Sequence, residues 1–253
     1  MRVSSITISF IVLACVFGGA LLGIFLHAVL PQHHLSSETK DIVKLGMGLV
    51  GTMAALVLGL LVASAKGYYD TQGAEVTQLA ANVALLDRVL AHYGPETKEP
   101  RTILRAAVGR AIDQMWPKEN TKGVLITPSA AGGEILLDKI QQLSPTNDMQ
   151  RSLQGEASGI AMDIGKTRWL MYAQETAAVS FPLLIVLVLW LTVIFVSFGL
   201  FAPFNATVVS SLFVSALSVS GAIFLILEMY SPYTGLIQIS SAPLRAALAQ
   251  LGQ

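Results

Sequence analysis

Apolar residues along this chain gather in four long runs, two on either side of a charged middle. Residues 181–200 (FPLLIVLVLWLTVIFVSFGL) carry no charge. As a helix they are long enough to cross a hydrocarbon core of about 30 Å. Residues 206–228 form a second such run, charged only at its last position, Glu228. The link between them, Phe201-Ala202-Pro203-Phe204-Asn205, is short enough to predict two antiparallel neighbours, a transmembrane hairpin. Residues 6–30 and 45–65 form an earlier pair around the polar stretch 31–41 (PQHHLSSETKD). A cleavable leader has an apolar core of about 7–15 residues and a small-x-small cleavage site. The first run is longer and reaches Pro31 without a convincing site, so it reads as a retained span.

The middle, residues 66–175, has helical rather than continuous apolar spacing. Val76, Leu79, Val83, Leu86 and Leu90 recur three and four apart, as in a coiled-coil seam that continues the second span as a helix. Tyr93-Gly94-Pro95 ends it, since Gly suits the position after a helix and Pro cannot continue one. Leu104, Val108, Ala111 and Met115 mark another helix, closed by Trp116-Pro117. Residues 120–133 read as loop and 135–143 as a short helix. Ser144-Pro145 predicts a helix start, followed by the stripe Leu153, Ala157, Ile160, Ile164, Thr167 and Met171. In the tail 229–253, Leu244, Ala247, Leu248 and Leu251 form one face of a short amphipathic helix, fit to lie on the membrane or to cover the middle domain.

Composition sharpens this picture. The chain is 53% apolar and 13% charged, against about 25% charged in an average soluble domain. Of its 16 basic residues 12 fall in 66–175, as do 13 of its 16 acidic ones. The expected fold is therefore an all-α integral membrane protein. It has transmembrane hairpins at 6–65 and 181–228, a helical cytoplasmic domain at 66–175 and a cytoplasmic tail at 229–253. The bilayer is its first partner. A net charge of zero argues against nucleic acid, which requires a basic face. Cys15 is the single cysteine, so no intrachain disulfide forms.

Orientation follows from the basic residues. Four spans leave the termini and the middle domain on one side, with 14 of the 16 Lys and Arg, against Lys40 and Lys44 on the other. Basic flanks stay in the cytoplasm, which predicts that both termini and the middle domain lie inside. Trp169 and Tyr172 beside Arg168 read as an interfacial aromatic anchor.

Little else carries chemistry. Gly46-Met47-Gly48-Leu49-Val50-Gly51 matches G-x-G-x-x-G but lies inside an apolar helix with no strand before it, so it is not a dinucleotide site. His33-His34 has only Glu38 and Asp41 near it and reads as solvated loop rather than a metal site. His92 sits at a helix end. No nucleophile–base arrangement occurs, so neither an enzyme nor a cofactor is expected.

Packing and pathway faces are clearer. Gly19 and Gly23 are four apart, and Gly51, Ala55 and Gly59 repeat at the same spacing. Both are small-residue faces for close helix approach. Thr207, Ser211, Ser215 and Ser218 share one face of the last span. They read either as packing residues or as the lining of a wetted pathway. Asn205 reads as the N-cap of that span, at a helix start whose partial positive charge would attract an anion. Glu228 closes the same span, and a polar contact with Arg245 or Arg168 is expected there. Trp190, mid-span, reads as packing.

The segments FGLFAPFNATVV, ALSVSGAIFLILEM and GLIQISSAPLRAALAQL, with LVLGLLVASAK at 56–66, LDRVLAHYG at 86–94 and Arg168-Trp169-Leu170, together resemble the bacterial bestrophin-like domain family. These are four-span membrane proteins of unknown function, and the likeness covers nearly the whole chain. The family's name implies a remote likeness to bestrophins, which are pentameric anion channels with four spans per subunit. The resemblance thus implies a homo-oligomer that conducts an inorganic anion. The competing expectation is a membrane-anchored helical scaffold without transport, since no charged residue lies inside a span.

Overall fold

The computed structural model describes residues 4–31, 36–117, 130–177 and 180–252, with the side chains of 130–132 and 175–177 left aside. All regular elements among the described residues are helices. They are α1 (Ser5–Val29), α2 (Ser37–Tyr93), a 3-10 turn (Pro95–Thr97), α3 (Lys98–Met115), α4 (Ala130–Gln141), α5 (Asp148–Ala177), α6 (Phe181–Phe201), α7 (Ala206–Met229) and α8 (Ala242–Gln250). Helices α1, α2, α6 and α7 are long and apolar enough to cross a membrane. The chain divides into two compact units, Met1–Gly67 with Val179–Tyr230, and Tyr68–Ala178 with Ser231–Gln253. Helix α2 runs on from the second span as the spacing predicts, giving its first half to one unit and its second half to the other.

In the first unit α1 is the central element, packing along both α6 and α7. Glycine makes this possible. A Cβ on Gly19 would lie 3.0 Å from the Thr192 side chain, a Cβ on Gly23 would overlap the Val196 carbonyl, and a Cβ on Gly199 would overlap that of Ala20. The expected small-residue face of Gly19 and Gly23 is thus a backbone-to-backbone contact. Residue numbers on α1 and α6 rise together along it, so these two helices run parallel. On the other side Phe17 meets Phe213 edge-on, with centroids 5.2 Å apart. The Ser220 hydroxyl there donates to the Ser9 carbonyl at 2.6 Å. The numbers run oppositely, so α1 and α7 are antiparallel.

This corrects the expected hairpin. Helices α6 and α7 do run in opposite directions, but both pack chiefly on α1 rather than on each other. The short turn joins two helices with a third between them. The end of α6 is capped from outside: the Leu200 carbonyl accepts from His27 Nδ1 at 2.7 Å, and that of Phe201 from Lys40 Nζ at 3.4 Å. Helix ends leave carbonyls unpaired, and a cation is favourable there. Trp190 packs part-buried against this core, as expected. Elsewhere Phe10, Phe25, Leu45, Leu56 and Ile185 are exposed, a surface fit for lipid rather than water.

The second unit is built on the predicted seam. Val76, Leu79, Val83, Leu86 and Leu90 are buried with Leu104, Val108, Ile140, Ala157 and Met171 in one apolar core. Gly94 ends α2 at φ 134°, a conformation reserved for glycine. On α3 the buried position is Ile112 rather than Ala111, which is only half-covered. Three boundaries also move. Helix α2 starts at Ser37, its Thr39 amide capped by the Ser36 hydroxyl at 3.3 Å, so 37–41 is helix rather than loop. Helix α4 starts at Ala130 rather than 135; the rest of the predicted loop, 120–129, lies outside the described residues. Helix α5 starts at Asp148 behind Asn147, whose Oδ1 accepts from the Gln150 amide at 2.8 Å. Asn is as good an N-cap as Ser, and Ser144-Pro145 falls in the connection before it.

Helix α8 resolves the alternatives left for the tail. Leu244, Ala247 and Leu251 are buried in the core of this unit, and α8 packs on α3. Its apolar face thus covers the core of this unit. The segment ahead of it is tied down by Trp116, whose Nε1 donates to the Ile239 carbonyl at 2.8 Å. The end of α8 is held by charge. Arg105 donates to the Leu251 carbonyl at 2.6 Å, and the Gly252 amide donates to Asp87 at 3.2 Å. Asp87 is buried and takes two further bonds from Arg101, at 2.8 and 2.9 Å. Burial alone would push its carboxyl up. The Arg101 and Gly252 hydrogen bonds and the charges of Arg101 and Arg88 outweigh that, holding it below the ordinary 3.8.

Two outcomes follow. Gly23→Ala should cost about 1–3 kcal/mol by overpacking, whereas Gly59→Ala, which meets open space, should not. Thermal unfolding of the purified protein in detergent compares them, and equal losses would contradict the contact. Asp87 has a depressed folded pKa, so its stabilisation is full above the unfolded value and fades as pH falls through the folded one. Asp87→Asn should cost about 1–3 kcal/mol near neutrality and should lose the part of the acid destabilisation, below pH 3.8, that belongs to this carboxylate. Melting curves across pH with identical slopes in the two proteins would refute that role.

Candidate functional site

The last span carries hydroxyls on two faces, and they have different fates. Ala216, Ser220, Ile223 and Leu227 recur at helical spacing and are buried. Ser220 on this face spends its hydroxyl on α1, as described above. Thr207, Ser211, Ser215 and Ser218 lie on the other side of the helix, at about 100° per residue, and all four are exposed. The sequence brings them onto one line, and among the described residues they stay uncovered. Ser218 donates to the Val214 carbonyl of its own helix at 2.9 Å, a common way for a serine in an apolar helix to satisfy itself.

Asn205 begins this helix. Its backbone is extended and its Oδ1 accepts from the Val208 amide at 2.8 Å, the N-cap read from sequence. An anion there would meet the other free amides of the first turn. Glu228 is buried at the far end of α7. Arg245 is exposed on α8, its Nε donating to the Ser241 hydroxyl at 2.9 Å. Arg168, on α5, is half-buried, and desolvation pulls its pKa down. Trp169 beside it is exposed and meets Tyr172 edge-on at 6.0 Å.

The other small-residue face behaves unlike that of Gly19 and Gly23. A Cβ on Gly51 or Gly59 would meet nothing within 4 Å, and Ala55 is exposed. Among the described residues nothing makes a close contact at Gly51, Ala55 or Gly59. Only 11% of the apolar stretch of α2 is buried, against 28–33% in the other three spans. Helix α2 is thus the least covered of the four. The formal G-x-G-x-x-G lies wholly inside it, away from any strand. His33-His34 lies outside the described residues. Among the described residues no cluster of three or more His, Cys, Asp or Glu could hold a metal.

One polar constellation was missed. Gln72, 1% exposed, donates to Glu75 Oε2 at 3.2 Å and to Gln174 Oε1 at 2.7 Å. Gln174 donates to Glu75 Oε1 at 2.8 Å, and the Tyr233 hydroxyl donates to Gln72 Oε1 at 2.7 Å. A signal existed: continued back by four residues, the seam of Val76 and Leu79 reaches Gln72. A polar residue at a seam position fixes register.

With this geometry in hand, the family can be stated. The Bestrophin-like domain model matches residues 14–244. The chain belongs to the bestrophin-like family. The match takes in all four apolar helices except the first nine residues of α1, and it includes the hydroxyl face of α7 and the start of α8. No curated protein matches the chain, and no solved structure does. Family membership and the four apolar helices together make it a membrane protein.

Proposed function

We propose that this bestrophin-like protein is a homo-oligomeric membrane channel for ions, with inorganic anions as the first class to test. The observation that carries the proposal is the outward hydroxyl face Thr207, Ser211, Ser215 and Ser218. Side chains of this kind offer dipoles without fixed charge. Such a lining replaces part of an ion's hydration without trapping it, as conduction requires. The N-terminus of the same helix at Asn205 favours an anion at the entrance. The thin cover on α2 supports assembly, since other copies would supply what the chain itself lacks.

In this reading the protein sits in a bacterial inner membrane with both termini and residues 66–175 in the cytoplasm, on the side that carries 14 of 16 basic residues. It performs no enzymatic step and needs no cofactor. A scaffold without transport is the contrary outcome of the test.

Single cysteines decide it, placed at Ser211, Ser215 and Ser218 in a Cys15→Ser background, with Leu217, also exposed, as the apolar control. A membrane-impermeant thiol reagent should modify the stripe at least tenfold faster than Leu217, because reaction needs water and thiolate. Equal rates would mean a dry stripe and a scaffold.

A further inference from the structure

The network of Gln72, Glu75, Gln174 and Tyr233 does something that the apolar core around it does not. Its members come from three places in the chain: two from α2, one from α5 and one from the segment after α7. Each hydrogen bond uses a different atom pair. Both oxygens of Glu75 accept, one from each glutamine. Both ends of the Gln72 amide are engaged, its nitrogen by Glu75 and Gln174 and its oxygen by Tyr233. Glu75, whose carboxylate can only accept, sets which way the Gln72 amide points, and the Tyr233 hydroxyl pairs the amide oxygen that this leaves facing the loop. Flipping that amide would face its oxygen to the Glu75 and Gln174 oxygens and break both of those bonds.

Stability alone does not account for such a group. Apolar residues of similar shape would serve a core as well or better, and the neighbouring seam positions are in fact Val76, Leu79 and Val83. What a fully satisfied polar group adds is uniqueness: it is complete in one arrangement of its three parts. The third part is itself well anchored. Tyr233 is buried and meets the Trp116 ring edge-on, with centroids 5.4 Å apart. Trp116 also holds the Ile239 carbonyl, and the Ile239 amide donates back to the Pro232 carbonyl at 2.8 Å. Residues 231–239 thus form a closed loop with Tyr233 as its inward projection.

We propose that Tyr233 is the key of a conformational coupling: by pairing the buried Gln72 amide oxygen, its hydroxyl ties the 231–239 loop to the α2–α5 contact. A displacement of the loop withdraws the hydroxyl and leaves the buried Gln72 oxygen unpaired, which destabilises the amide where it holds Gln174. The α2–α5 register then loosens together with the loop rather than independently of it.

The test uses the full-length protein in detergent and follows backbone hydrogen exchange. Tyr233→Phe keeps the ring and removes only the hydroxyl. It should raise exchange about tenfold in α5 around residues 170–175 as well as in 231–239, the effect of leaving one buried acceptor unpaired. In a Gln72→Leu background, where there is no amide to pair, the same substitution should leave α5 unchanged. Faster exchange confined to 231–239, or an equal rise in α5 in both backgrounds, would overturn the coupling. Should Gln72→Leu not fold, Gln174→Leu, which removes the link to α5, gives the same comparison, again read on α5 around residues 170–175.

Discussion

Gly19, Gly23 and Gly199 bring the backbones of α1 and α6 into contact, and the arrangement of the first unit follows from that approach. Membrane helices lack a hydrophobic force between them, so close backbone packing has to hold them. With α1 drawn against α6, its other side receives α7 through Phe17, Phe213 and the Ser220–Ser9 bond. Helix α7 can present only one face to α1, the face of Ala216, Ser220 and Ile223. Its remaining hydroxyls, from Thr207 to Ser218, are turned out. The outward stripe is thus a consequence of how α1 packs. It also explains why helices joined by a turn of a few residues have a third helix between them.

The second unit obeys a different rule, because water supplies its driving force. Its seam from Val76 to Leu90 buries apolar surface at roughly 25 cal/mol per Å², and α8 completes it with Leu244, Ala247 and Leu251. Two hydrogen-bonded polar sets are built into this unit. Asp87 takes Arg101 and the Gly252 amide, and Gln72 takes Glu75, Gln174 and Tyr233. Each set joins helices to the segment that follows α7, so that segment is held by direction-specific bonds as well as by burial.

Much of this was legible in the chain, because periodicity reports burial. The four apolar runs, the seam, the Asn205 cap, the Gly94 stop and the helix at 242–250 all rest on local spacing or local backbone chemistry. What was hidden depends on partners far along the chain. No spacing announces that Gln174 and Tyr233 meet Gln72, or that His27 and Lys40 cap the end of α6. Gly19 with Gly23 and Gly51 with Gly59 have the same signature, yet only the first pair has a partner in this chain. Small residues permit close approach without specifying what approaches. The same limit applies to Thr207, Ser211, Ser215 and Ser218: their common face is local, but what it looks at is set by α1 and by whatever lies outside the chain.

The central claim is that the uncovered faces of α2 and α7 belong to an assembly of copies. The mass of the protein extracted directly into lipid nanodiscs tests it most directly, because the native bilayer is kept and no detergent competes for those faces. The account predicts one dominant species at a fixed multiple of the 26.9 kDa chain, large enough to close a ring. A single-chain mass that persists at high loading would contradict it, and the hydroxyl face of α7 would then look at lipid.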